Sequence, residues 1–349
     1  MTSGTQITRL QRADVPELSR FLTGGFHVPA DSFFFSREVL LWKYFDGPGG
    51  PSEDSACSLV ARANGKIIGH IGICPRQFIV LGDGATPVST MKAIDLLSPP
   101  EHSGLGVFLL LRAFATSKTQ YAIGGTVEVQ TVLPKLGFEP KPKLTIFNKV
   151  LAPLHRLRKA DQGLVRKLAG TAKDVATAWR ARTPPAQQTV ELRSATAFTE
   201  EINCLLPQSS VRTVTCQRNH LLLNYFLRCP VSGFSGWTIH TSGRTIGFAV
   251  LKITSYGRIQ RAKIVDCWLN TEDPSCWQAA VAALLDRLRD ISADYVIGYG
   301  TTPNLVAALI WNGFTKSEER NVYLRDKQQS LPPGLSLGLS MLEGDHAIM

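Results

Sequence analysis

A strand-like run ending at Asp95, Leu96 and Leu97 leads into Ser103, Gly104, Leu105, Gly106, Val107 and Phe108, after which the pattern turns helical. A helix start presents unpaired N–H groups and about half a positive charge, so this turn suits a phosphate, and its glycines allow a close backbone approach. His70, in an alternating apolar run, has a resting pKa suited to a general base. Asp95 and Glu128 are the carboxylates nearest the glycine turn in chemical interest; Asp95 reads equally as a substrate-binding group and as an ion-pair partner of Lys92. No Ser or Cys stands in a nucleophile-elbow context, so no covalent enzyme intermediate is expected. The seven cysteines are scattered, with no C-x-x-C pair, and no metal site is expected.

The elements that must hold these residues are written twice. LLWKYFDGP at 40–48 is echoed by LLLNYFLRCP at 221–230, and NGKIIGHIGI at 64–73 by SGRTIGFAVL at 242–251. Lys92 to Asp95 match Lys263 to Asp266, and Leu136-Gly137-Phe138 match Asn312-Gly313-Phe314. Tyr44 and Tyr225 are 181 apart, Gly69 and Gly247 178, Asp95 and Asp266 171, and Gly137 and Gly313 176. Such a nearly constant offset reads as a tandem duplication. NGK and SGR are hairpin turns, predicting antiparallel pairs over 57–63 with 67–73 and 236–241 with 245–253. Helical runs follow at 107–116 and 277–289, then short strands at 121–123 and 295–297, another helix, and a last strand after each Gly-Phe. That order gives a mixed α/β sheet in each half.

This order resembles the acyl-CoA N-acyltransferase (GNAT) superfamily over residues 7–150 and, less fully, 190–327. The carriers are IDLLSPPEHSGLGVFLLLRAF at 94–114, similar to that superfamily's cofactor turn and helix, and VLPKLGFEP at 132–140, similar to its closing helix and Gly-Phe turn. The resemblance implies two tandem GNAT-like α/β domains, with acetyl-CoA or another acyl-CoA held by Leu96, Leu97 and Ser103 to Phe108. His70, Asp95 and Glu128 are then the catalytic candidates for moving an acyl group onto an amine. Ser103 and Phe108 depart from the superfamily's Arg or Gln and its small residue. Leu133 and Leu309 replace the tyrosine that many members use as a general acid. The segment LNTEDPSCW at 269–277 lacks glycine altogether, so no coenzyme A is expected in the second half. Aromatic residues Phe33 to Phe35, Trp42, Tyr44 and Phe45 resemble the early helices that shape the acceptor pocket.

The boundaries are read as an N-terminal domain at 1–150, a connector at 151–189, a degenerate C-terminal domain at 190–327, and a flexible tail at 328–349 containing Pro332 and Pro333. Of the net charge of +10, residues 151–185 supply +6, from eight Lys or Arg against two Asp. Leu157, Leu164, Val165, Leu168, Ala172, Val175 and Trp179 fall on one amphipathic stripe, which Asp161 interrupts and Gly170 divides into two shorter helices. Peripheral membrane contact through 151–182 is one expectation for it. With no secretory signal and no apolar run near ~20 residues, cytoplasmic residence is expected. No nucleic-acid module accompanies the basic residues, so DNA is not an expected partner. Two-unit proteins of this look resemble bacterial enzymes of surface-polysaccharide biosynthesis, which implies an amino-sugar acceptor. Two alternatives stay open: an aminoacyl-tRNA-dependent transferase of the peptidoglycan-bridge kind, and an inactive binding or scaffolding module.

Overall fold

A computed structural model describes residues 5–29, 32–48, 56–81, 87–158, 168–172, 175, 188–205 and 213–348. Of the connector stripe, Leu157, Leu168, Ala172 and Val175 are described and exposed, and Leu164, Val165 and Trp179 lie outside the described residues. The described strands form one sheet whose main path runs β1-β2-β3-β4-β5-β13-β6-β12-β11-β10-β9-β7. In the first half these are β1 (Gln6–Arg9), β2 (Ser58–Ala63), β3 (Lys66–Val80), β4 (Val88–Leu97), β5 (Thr119–Ile123) and β6 (Glu139–Val150). The second half supplies β7 (Glu191–Ala195), β8 (Thr213–Cys216), β9 (Phe234–Thr241), β10 (Arg244–Tyr256), β11 (Ile259–Leu269), β12 (Tyr295–Gly300), β13 (Thr315–Asp326) and β14 (Ser336–Gly338). The helices are α1 (Val15–Gly25), α2 (Arg37–Tyr44), α3 (Leu105–Phe114), α4 (Val127–Val132), α5 (His220–Leu227), α6 (Pro274–Asp290) and α7 (Pro303–Trp311).

Local chemistry explains the hairpins. Asn64 and Gly65 take φ of 49° and 76°, and Ser242 and Gly243 take 46° and 76°. Two successive left-handed residues make the tight turn whose twist matches that of the flanking strands. Ala63 thus faces Lys66, and Thr241 faces Arg244. Alternation then sorts side chains between faces: Leu59 and Ala61 pack with α3, whereas Val60 packs with α1 and α2.

The boundary expected at residue 150 does not coincide with a break in the sheet. The closing strands are exchanged: β13 pairs antiparallel with β5 of the first half, and β6 pairs antiparallel with β12 of the second. Both follow Gly-Phe turns of the same kind, and both present an antiparallel edge to a short parallel-paired strand. Across this junction α2 meets α5. The Trp42 and Tyr225 rings stack at 4.2 Å and 4°. Trp42 Nε1–H donates to the Tyr225 carbonyl at 3.0 Å, and the Tyr225 hydroxyl donates to the Trp42 carbonyl at 3.0 Å.

The C-terminal residues are the clearest correction to the sequence reading. Residues 336–348, expected to be part of a loose tail, are packed into the centre of the molecule. β14 pairs with β8, and Leu339, Met341, Leu342, Ala347 and Ile348 are each 1% exposed or less. The prolines and glycines mark only the approach, and the apolar residues beyond them supply the burial. Four buried cations then satisfy the segment's carbonyls. Arg76 donates to Leu342 at 2.9 Å, Lys92 to Glu343 at 3.2 Å, Lys263 to His346 at 2.9 Å, and Lys252 to Ile348 at 2.9 Å.

Leu342→Ala should therefore cost about 2–5 kcal/mol, the usual range for truncating a fully buried leucine. Urea unfolding of wild type and variant measures this, and equal midpoints would show that the segment is no part of the core.

Candidate active site

β4 and β5 run parallel over only three residue pairs, Thr90–Lys92 with Thr119–Tyr121. Beyond them β4 bulges. Its register against β3 shifts between His70↔Leu97 and Gly72↔Ile94, and Asp95 takes the left-handed conformation with φ of 49°. Aspartate tolerates this region better than most side chains, and a bulge re-aims both carbonyl and side chain.

The re-aimed groups are all held. The Asp95 carbonyl accepts His70 Nδ1–H at 2.8 Å. Its carboxylate accepts Lys43 Nζ at 3.0 Å and the Tyr44 hydroxyl at 2.6 Å. The two charged side chains are 4% and 2% exposed. Gly72 makes room for this, because a Cβ there would lie 2.6 Å from the Tyr44 ring. Burial, and then the Asp95 charge, push the Tyr44 phenol well above its ordinary pKa, so it stays a donor. Asp95 thus pairs with Lys43. Lys92, the other partner considered from sequence, reaches the Glu343 carbonyl instead.

His70 is wholly buried, and burial lowers its pKa to about 4. Because a carbonyl only accepts, Nδ1 carries the proton, and Nε2 accepts the Ser58 hydroxyl at 2.8 Å. Both ring nitrogens are committed, and the ring does not line the cavity described next. The structure thus brings His70 and Asp95 together and leaves Glu128 apart. Glu128 is exposed in the first turn of α4, with its pKa lowered chiefly by a hydrogen bond to the Thr126 side chain.

Where β4 and β5 part, a cavity of about 640 Å³ opens. One side is walled by Leu110 and Phe114 of α3, Val129 of α4, and Leu133 and Phe138 beyond it. The other is walled by Phe26, Phe33 to Phe35, Tyr256, Asp345 and Ile348. Ala93 to Leu96 and Tyr121 to Ala122 form the rim between the two. Asp345 belongs to the C-terminal segment, and burial is outweighed there by Lys92, Lys43 and His346, so its pKa is lowered. Sequence reasoning misses Lys43 and Asp345, and places Tyr44 only among the aromatics that shape the acceptor pocket. A signal for Tyr44 exists, since it lies in an echoed segment as Tyr225, and Lys43 is its neighbour.

The start of α3 lies about one turn before Leu110, and Ser103 to Phe108 are not among the residues lining the cavity. Gly104 caps it with φ of 82°, Leu105 N–H reaches His102 O, and Phe108 N–H reaches Gly104 O. The Gly106 and Val107 amides have no backbone acceptor among the described residues. A Cβ on Gly106 would meet only Ser98 Cβ, at 3.5 Å. Ser103 is exposed and Phe108 is 40% exposed, so neither closes the turn. Leu96 lines the cavity, whereas Leu97 turns the other way, onto Gly25 of α1.

The second half has matching positions with different contents. Asp273 places its own carboxylate on the Ser275 amide at 2.9 Å, and Pro274 removes a donor at the start of α6. Asp266 is buried against Arg218 at 2.9 Å, and Arg218 also reaches Glu343 at 3.0 Å. Met341 N–H bonds to the Val265 carbonyl, so the C-terminal segment occupies the position that the cavity has in the first half.

No protein-family model matches the chain, and no curated sequence does. Solved structures do match its fold. A GCN5-related N-acetyltransferase from Anabaena variabilis is 12% identical, with TM-score 0.60 over 93% of this chain and 73% of that one. A probable N-acyltransferase from Enterococcus faecalis is 11% identical, with TM-score 0.59 over 94% and 74%. Saccharomyces cerevisiae N-myristoyltransferase with bound myristoyl-CoA is 13% identical, with TM-score 0.62 over 93% and 83%. The chain therefore has a GNAT-type fold, with a large mixed sheet and helices on both faces.

The His70 environment has a pH signature. Its folded pKa of about 4 lies below the ordinary 6.5, so between those values the unfolded chain binds a proton that the folded chain does not. Stability then falls as pH falls through that window, by about 2–3 kcal/mol from pH 7 to 4.5. In urea titrations at both pH values, His70→Phe should be less stable at pH 7 but lose less on acidification. An undiminished pH slope would rule out a buried neutral His70.

Proposed function

We propose that the chain transfers an acyl group from an acyl-CoA to an amine, with the cofactor in the first half only. One observation carries this reading: a cavity runs through the gap between β4 and β5 against α3, the helix whose Gly106 and Val107 amides have no backbone acceptor among the described residues. Gly104 to Phe108 would hold the pyrophosphate through backbone N–H groups. Leu96 and Ala122, on the two parting strands, would flank the arm that follows it into the gap. When bound, the acyl-CoA would supply an activated thioester carbonyl, with coenzyme A leaving as the thiol. That a structural neighbour carries myristoyl-CoA supports the ligand class.

The chain's own residues define the acceptor side. Asp345, kept ionised mainly by Lys92, gives the ammonium of an incoming amine a carboxylate to approach. Lys43 and Tyr44 hold the Asp95 carboxylate, and the bulge at Asp95 keeps the strands apart. His70 is a positioning residue that fixes the Asp95 carbonyl. The Phe33 to Phe35 turn walls the acceptor side and excludes water from the gap. Amino sugars of surface-polysaccharide precursors are the first acceptors to try, by analogy with two-unit proteins of similar look. We also read the two halves as products of one duplication, supported by the echoed segments and the matching strand order about the exchanged β6 and β13.

Gly106→Trp tests the cofactor site, since its Cβ has space and its ring would cover the amides. Calorimetric titration of coenzyme A should give binding to the wild type and a loss of at least about tenfold in the variant, with unchanged thermal unfolding. Absent binding to the wild type, or equal binding to both, would refute the proposal.

A further inference from the structure

The cavity is larger and more apolar than the transfer of an acetyl group requires. An apolar cavity of ~150 Å³ accommodates a molecule the size of benzene. The volume here is about 640 Å³, roughly four times as great. With the coenzyme's arm at the rim and the amine at the carboxylates, a two-carbon group would still leave the wall toward α3 and α4 without the dispersion contacts that a packed interior supplies.

The cavity's polar groups are unevenly divided. Asp95, Asp345, Ser32 and the Tyr256 hydroxyl belong to the side with α2 and the C-terminal segment. Toward α3 and α4 the wall is Leu96, Leu110, Phe114, Val129, Leu133 and Phe138, hydrocarbon except at Thr126, whose hydroxyl accepts the Val129 N–H as the cap of α4. An ammonium and a hydrocarbon would therefore separate, the first toward the carboxylates and the second between the two helices. The pyrophosphate position at Gly104 to Phe108 belongs to α3 as well, so cofactor and hydrocarbon arm share one face.

We infer that the acyl group is a medium-length or long hydrocarbon chain, lodged between α3 and α4 against Leu110, Phe114, Leu133 and Phe138. This rests on the acyl-CoA reading above and adds the class of acyl donor. Leu110 reaches the cavity from the inner side of α3, being only 4% exposed, which makes it the length gauge. Val129, on α4, faces the same arm and is half-buried.

The test is a calorimetric series on the full chain: free coenzyme A, then acetyl-, butyryl-, octanoyl-, dodecanoyl- and hexadecanoyl-CoA. Affinity should rise by roughly two- to fourfold per added methylene until the arm is full. Leu110→Trp should leave the affinity for free coenzyme A unchanged and move the preferred length to fewer carbons. Val129→Trp should do the same if the first variant fails to fold. Equal affinity for free coenzyme A and all its thioesters would overturn the inference and leave the proposed function standing. A length preference unmoved by both variants would overturn the assignment of the arm. If no species binds, the acyl-CoA reading fails and the inference fails with it.

Discussion

The buried Asp95 carboxylate is the constraint from which the first half is organised. An ionised carboxylate out of water is stable only when paired and hydrogen-bonded, and losing one partner of such a pair typically costs about 3–5 kcal/mol. Here Lys43 and Tyr44 supply the pairing and Gly72 the space. Satisfying the side chain requires the left-handed backbone at Asp95, and that backbone sends the carbonyl to His70 and ends the regular course of β4. The gap between β4 and β5, and the cavity in it, follow from the same local geometry.

The second half spends the equivalent positions on holding the molecule together. Asp266 is matched by Arg218, the start of α6 by Asp273, and the gap beside β12 by the C-terminal segment. That segment is fastened by cations from both halves, Arg76 and Lys92 from one and Lys252 and Lys263 from the other. With the exchange of β6 and β13, it makes the halves mechanically interdependent. Asp345 brings the segment into the cavity wall, so an element of architecture also shapes the site.

Much of this was legible in the sequence. Asn64-Gly65 and Ser242-Gly243 announced their hairpins because two left-handed residues have few other uses. The Gly104 turn announced a helix start, and α3 begins at Leu105. The strand exchange was not legible, since β6 and β13 carry near-equivalent patterns and either closes either half. Nor was the fate of His70, whose alternating apolar context is shared by exposed and buried positions. The C-terminal segment misled because proline and glycine dominate its beginning, while its binding partners are lysines and arginines far away in the chain. Leu164, Val165 and Trp179 of the connector's amphipathic stripe lie outside the described residues, and the membrane expectation rests on sequence alone.

The central claim is that the first half alone receives coenzyme A, in the gap beside α3. Hydrogen–deuterium exchange with and without the ligand reads this out segment by segment. The account predicts added protection in residues 93–108 and 119–133, with none in 264–277, the matching segment of the second half. Protection confined to 264–277, or spread equally over both halves, would contradict it.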